Sequence, residues 1–285
     1  MNILADNTRA AILRALCEGN SIRATARLTG TSKATVSDLL RIVGAHCKNH
    51  HDRFTRDVAC KRVQMDEIWS FVASKEKNTS PEMKERGHGD VWTWTALCQD
   101  SKLLVAYRVG DRNAPTANAF VEDLEERLSN RVQLTSDGLK LYLRAVEDAF
   151  GWAWVDYAQL VKIYGQGSEV GPARRYSPGE YVRSEKVAIM GRPNMEDVTT
   201  SHVERNNLTM RMQMRRFTRL TNAFSKKVEY HLYAVALHAM FYNYARPHAT
   251  LTKARKGMHT TPAMAAGLTD RVWTVYDLLD LLDGR

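Results

Sequence analysis

Asp66, Asp137 and Glu204 stand in VQMDEIWSFV, VQLTSDGLKLY and SHVERNNLTMR, 71 and 67 positions apart, so only folding can bring them together. Asp66 interrupts an apolar, aromatic run that reads as a strand, where a carboxylate is costly unless paired or metal-bound. Asp137 follows Val132 and Leu134 and precedes Gly138, the pattern of a strand's C-terminal end. Glu204 opens a helical stretch that then becomes strongly basic. Two strand carboxylates at one sheet edge, with a helical carboxylate over them, make an all-oxygen donor set suited to two Mg²⁺ ions, or Mn²⁺. Such a pair activates an attacking oxygen and stabilises a leaving one, as phosphodiester chemistry requires.

Each acid also has a structural role open to it: Asp66 as a strand-pair cap, Asp137 as a turn residue, Glu204 as a partner of a helix dipole. Glu67 neighbours Asp66, but successive strand residues face opposite sides, so one of the two is expected to serve. Glu180, Glu185, Glu196 and Asp197 compete with Glu204 for the third position. Glu204 is preferred because the chain beyond it is basic: from Arg205 to Lys227 there are seven Lys or Arg and no acid. At helical spacing Asn207, Arg211 and Arg215 share its face, while Met210, Met214 and Phe217 lie on another. The apolar set is expected on the sheet, with Arg205, Asn207, Arg211 and Arg215 holding phosphates beside the ions. Trp69, Trp92 and Trp94 could stack on exposed bases, but aromatic residues at strand spacing are expected in the core; His231 and His238 share a helix face that could approach DNA, and are expected to be satisfied in core or at surface.

The elements that must position these residues begin with a helical unit. Ile12, Leu13 and Leu16 fit one helix ending near Gly19, and IRATARLTGTSKATVSDLLRIVG fits a helix-turn-helix. Ala26 is small where two helices cross, Gly30 supplies the turn, and Thr31 or Ser32 caps the second helix, whose Val36 and Leu39 point inward. Ser32, Lys33, Thr35 and Ser37 are then the groove-reading candidates, the alternative being a plain helical hairpin. The polar stretch 46–61 reads as a linker, which places a DNA-binding domain at 1–58 and a second domain at 59–285. Cys47 lies among His46, His50 and His51, but the second ligand pair of a zinc finger is missing.

From about 62 three strand-like runs suggest an antiparallel meander, followed by helix, strand, helix and a fifth strand. This is an α/β layout with a mixed five-stranded sheet flanked by helices. Residues 160–197 break the rhythm with Gly, Pro and charge and read as an insertion containing a short strand, KVAIMG. Helices at 199–219 and 226–245 and a last amphipathic one near 272–282 complete the chain. The net charge of +9, from 41 Lys+Arg against 32 Asp+Glu, fits a polyanionic partner without selecting one. Four cysteines without paired spacing favour free thiols in a reducing compartment. With neither a signal peptide nor a run long enough to span a bilayer, the expectation is a cytoplasmic, nucleoid-associated protein of a prokaryote with no membrane partner.

Through IRATARLTG, MDEIWSFV, SDGLKLY, HVERNNLTMR and FSKKVEYH, in that order, the chain resembles the insertion sequence 1 family of bacterial transposases. The likeness covers roughly 20–110, 131–142 and 198–245. It implies a DDE-type enzyme on a ribonuclease H-like core. Asp66 and Asp137 would be its two aspartates, Glu204 its glutamate, and Arg205 and Asn207 supporting residues. Family members often carry a cysteine-rich zinc module before the helix-turn-helix; this sequence starts without one, so the expectation is either that DNA specificity rests on the helix-turn-helix alone or that the chain is an N-terminally short variant. The resulting expectation is a DNA transposase that cleaves element ends, joins the 3′-hydroxyls to target DNA, and works as a homo-oligomer on DNA. The rival readings are an inactive copy acting as a DNA-binding regulator and a nuclease acting on RNA hybrids.

Overall fold

Ser21 and Ser32 start two of the helices at the N-terminal end. In the computed structural model, which describes residues 4–165, 181–218 and 223–283, α1 spans Asp6–Cys17, α2 Ile22–Thr29 and α3 Lys33–Phe54. Ser21 Oγ accepts from the Ala24 amide at 3.1 Å and Ser32 Oγ from the Thr35 amide at 3.0 Å. Each serves a donor that helix geometry leaves open. Between them Gly30 adopts the left-handed conformation that ends α2.

Residues 46–54, expected as linker, are instead the last turns of α3. The buried stripe Val36, Leu39, Leu40 and Val43 continues through Cys47 and His51, so a helical face persists where the residue types look polar. Arg127 fixes this end. Its guanidinium reaches Asp52 and Asp123 at 2.9 Å each and donates to the His51 and Thr55 carbonyls at 3.1 and 3.2 Å. Midway, Gly44 lets α3 cross the later helix α8 (Val228–Met240) almost backbone to backbone, since a Cβ there would lie 2.5 Å from Tyr233 Cβ.

The sheet comprises β1 (Arg62–Val72), β2 (Gly89–Cys98), β3 (Leu104–Gly110), β4 (Val132–Asp137), β5 (Val155–Tyr164) and β6 (Tyr181–Met190). Their order is β3-β2-β1-β4-β5-β6. β1 is antiparallel to β2 and parallel to β4, β4 is parallel to β5, and β6 returns antiparallel on β5. Six strands replace the expected five because the short KVAIMG run is the end of a ten-residue strand. Its side chains are exposed over most of its length, so no apolar alternation marks it. Residues 166–180 of the expected insertion lie outside the described residues.

Between β1 and β2 lies the short α4 (Pro81–Glu85); α5 (Ala114–Glu125) and α6 (Leu141–Trp154) follow β3 and β4, and α7 (Ser201–Gln213) precedes α8. Short helices α9 (Ala249–Ala254), α10 (Pro262–Ala265) and α11 (Val275–Asp280) come last. Strand alternation sorts the longer ones onto two faces. Trp94 of β2 meets Phe120 of α5 and Tyr142 of α6, whereas its neighbour Thr95 points the other way, to Asn207 of α7. The outer strand β3 is bounded by Asn243, which accepts from the Leu104 amide at 2.9 Å and donates to its carbonyl at 3.0 Å, as a further strand would. The helix expected over 199–219 ends at Gln213. Met214 turns extended and the 3₁₀ turn Arg215–Phe217 comes next, which buries Met214 and Phe217 and takes Arg215 off the helix.

Candidate active site

Met65 of β1 stands in register with Ser136 of β4, so Asp66 and Asp137 come next at the same level on neighbouring parallel strands. Oxygens of Asp66, Glu67 and Asp137 fall within 4.8 Å of one another, a group able to hold a metal ion. Glu67 was expected to turn away. It does leave the opposite face, toward Tyr142 rather than Asn207, yet its carboxylate still reaches this cluster. Its oxygens are already engaged: Arg112 Nε donates at 2.8 Å and the Tyr142 hydroxyl at 3.1 Å.

Asp66 is the strained member. Burial, then the neighbouring charges of Glu67 and Asp137, and last that of Glu204, push its carboxyl up from 3.8 to about 7. Among the described residues the side chain that donates to it is Asn207, whose Nδ2 lies 2.8 Å from Oδ2. Asn207 was expected among the groups holding DNA. It is instead buried, accepts from Thr95 Oγ1 at 3.4 Å, and orients the aspartate. Asp137 keeps one oxygen on the Leu139 amide at 3.0 Å, which fixes the turn after β4.

Glu204 lies in the first turn of α7 and outside the tight cluster, near enough for its charge to act on Asp66. Its Oε1 accepts from Lys162 Nζ of β5 and from Thr200 Oγ1, both at 2.5 Å. Gln64 decides where this helix starts. Buried on the same face of β1 as Asp66, its Oε1 accepts from the His202 and Val203 amides at 3.0 Å each, capping α7 from the sheet. Sequence reasoning missed both Gln64 and Lys162; the sole signal for Gln64 was its two-residue spacing from Asp66.

The expected DNA-facing residues divide. Ser32 caps α3 and is exposed with Lys33; Thr35 and Ser37 are half-buried beside them. Arg205 and Arg215 are exposed and Arg211 is half-buried. His231 and His238 are core residues whose imidazoles burial, then the charges of Arg216 and Arg246 respectively, holds near 3. Trp94 is fully buried, whereas Trp92 lies under the Arg112 guanidinium at 4.8 Å.

Carboxylate oxygens alone, crowded until one resists ionisation, are a donor set for hard divalent cations. The chain is similar to an insertion-element protein. That relative, the insertion element iso-IS1n protein InsB of Shigella dysenteriae, is 28% identical over 168 residues, which cover 59% of this chain and 86% of the relative. No family model matches the chain. Among solved structures, a piggyBac transposase synaptic complex with hairpin DNA aligns over 99% of this chain and 78% of that one, at 10% identity and a TM-score of 0.44. The Mos1 mariner paired end complex with Mn aligns over 55% of this chain and 60% of that one, at 14% identity and a TM-score of 0.24. The sequence match, not these distant likenesses of low TM-score, bears on function. Among the described residues no helix is long and apolar enough to cross a membrane.

Proposed function

We propose that the protein is a DNA transposase of the DDE type, cleaving element ends and joining the 3′-hydroxyls to target DNA. The observation that carries this reading is the pair Asp66 and Asp137, set side by side on parallel strands with the Asp66 carboxyl pushed to about 7. The strand order with its parallel β1-β4-β5 core supports the ribonuclease H-like reading, and the similarity to an insertion-element protein supports the substrate class. Asp66 and Asp137 would hold divalent ions, with Glu204 as the third ligand. Bound there, such ions would activate the attacking oxygen and stabilise the leaving one.

The chain's own residues do the rest. Asn207 holds Asp66 in one rotamer, and Gln64 anchors the helix that carries Glu204. Lys162 neutralises Glu204 until the site is loaded. Arg205, Arg211 and Arg215 supply positive charge for the DNA backbone, and Ser32, Lys33, Thr35 and Ser37 at the start of α3 are the residues to read a groove. Working on two ends calls for more than one copy, so a homo-oligomer on DNA belongs to this proposal.

The test is nicking and joining of duplexes carrying the element's own ends, with Mg²⁺ or Mn²⁺, for the wild type and Glu204→Gln. Metal-dependent products lost in the variant, with DNA binding retained, are expected. Binding without chemistry in both proteins would favour a regulator, and activity surviving in Glu204→Gln would move the third ligand elsewhere, first to Glu67.

A further inference from the structure

A second site lies away from the carboxylates, where the N-terminal helices meet the end of α7 and the start of α8. There a cleft of about 1010 Å³ opens between α2, α3 and residues 213–216 and 223–238. Six cations line it, Arg23, Lys33, Arg215, Arg216, Lys226 and Lys227, and among the described residues no acid does. Beneath this rim the lining turns apolar with Leu40, Met214 and Leu237, and two aromatic side chains, Phe224 and Tyr230, join it.

Two further observations accord with a ligand there. Gln213 is 5% exposed, yet among the described residues neither its Oε1 nor its Nε2 has a hydrogen-bond partner. His238, 4% exposed, leaves its Nε2 unpartnered as well. Both line the cleft. Buried amides are almost always bonded, and leaving one unmet is costly. Arg216 adds to the imbalance: among the described residues it donates to the neutral Ser225 hydroxyl at 2.9 Å and to no carboxylate. Gly19, beside the lining residue Asn20, sets its left-handed turn against the end of α7, where a Cβ would meet the Met212 carbonyl at 2.9 Å.

An anionic rim ligand joined to a flat, hydrogen-bonding body is a nucleotide. We propose that this cleft binds a single nucleotide unit, its phosphate on the basic rim and its base over Gln213 against Phe224 or Tyr230. Base stacking on an aromatic ring and phosphate contacts to Lys and Arg are how unpaired strands are held. An unpaired base has free edges to offer the buried Gln213 amide, whereas a paired duplex would meet the exposed cations. The unit comes from an unpaired DNA strand or from a free nucleoside phosphate; the choice of a DNA strand rests on the transposase reading, and the nucleotide chemistry does not.

The full-length protein in EDTA, where no strand can be cut, is titrated with a fluorescent six-residue oligothymidylate and with a duplex, and competed with ATP and with inorganic phosphate. Gln213→Met is a near-isostere that removes the unpartnered amide, so it folds at least as well as the wild type. It and Phe224→Ala should weaken the single strand about tenfold, the value of one lost hydrogen bond or stack, and change duplex binding less than about twofold. Displacement by ATP at low concentration assigns the site to free nucleotides; failure of ATP to displace assigns it to a strand. Equal loss on single strand and duplex, or no loss in either variant, overturns the proposal and leaves a basic surface only. Because the readout is binding without metal, an enzyme that proves inactive does not alter these outcomes.

Discussion

Replacing Asp66 by Asn should stabilise the metal-free protein while abolishing its chemistry. The folded state holds this carboxyl up at about 7, against 3.8 when it is free, with burial as the first cause and the Glu67 and Asp137 charges next. Between those two values the folded protein binds more protons than the unfolded one, so stability falls as pH rises from about 4 to about 7 and is level above that. The full difference is about 4 kcal/mol at pH 8, an upper value, because a partly solvated side chain relaxes. The substituted amide carries no charge and escapes the penalty, so its advantage is absent at pH 4 and greatest at pH 8. For a chain of this size that is about 5–10 °C in Tm. Scanning calorimetry of both proteins in EDTA at pH 5 and pH 8 measures it. Divalent metal should stabilise the wild type at pH 8 by about 2.7 kcal/mol at a hundredfold excess over Kd, raising its Tm, and leave the variant unmoved. A variant less stable than the wild type at pH 8, or a gain equal at both pH values, would refute the charge-crowding argument.

Three further outcomes are tied to particular contacts. Lys162→Met frees Glu204 from a part-exposed ion pair worth about 0.5–1 kcal/mol, so apparent Mn²⁺ affinity by calorimetry should rise about two- to fivefold; no change would remove Glu204 from the ligand set. Gly44→Ala drives a methyl into Tyr233 and should lower the stability measured by urea unfolding by about 1–3 kcal/mol at unchanged slope. Arg127→Met strips donors from two carboxylates and two carbonyls at the end of α3 and should cost about 2–4 kcal/mol by the same measurement.

Legibility in the sequence went with local signature. The Ser32 cap and the Gly30 turn have fixed chemistry at fixed positions, and both stand where their residue types imply. Asp66 and Asp137 were recognisable because a carboxylate in or at the end of an apolar strand needs a reason. Misreadings arose where a long-range partner changes what a residue type means. His51 looks polar but is buried, because Arg127, 76 positions later, brings donors to its carbonyl and ring. That hid the second half of α3. Gln64 reads as a surface glutamine until α7 arrives from 138 positions away to be capped by it. Glu67 faces away from Asp66 as alternation requires, and only the end of β4 brings the two into one cluster. Asn207 shares a helical face with Glu204, but that face packs on β1 rather than opening to DNA.

α3 runs unbroken for 22 residues from the turn at Gly30 to its Arg127 anchor, and Gly44 clamps it to α8 midway. Such a rod is about 33 Å long, close to one turn of duplex DNA. On the proposed transposase reading, an unbroken α3 between the end that would read sequence and the body that would cut would act as a built-in ruler. The scissile bond would then be chosen by its distance from the recognised bases, not by its own sequence. Adding base pairs between the two should move the cut along the DNA and keep the measured offset constant.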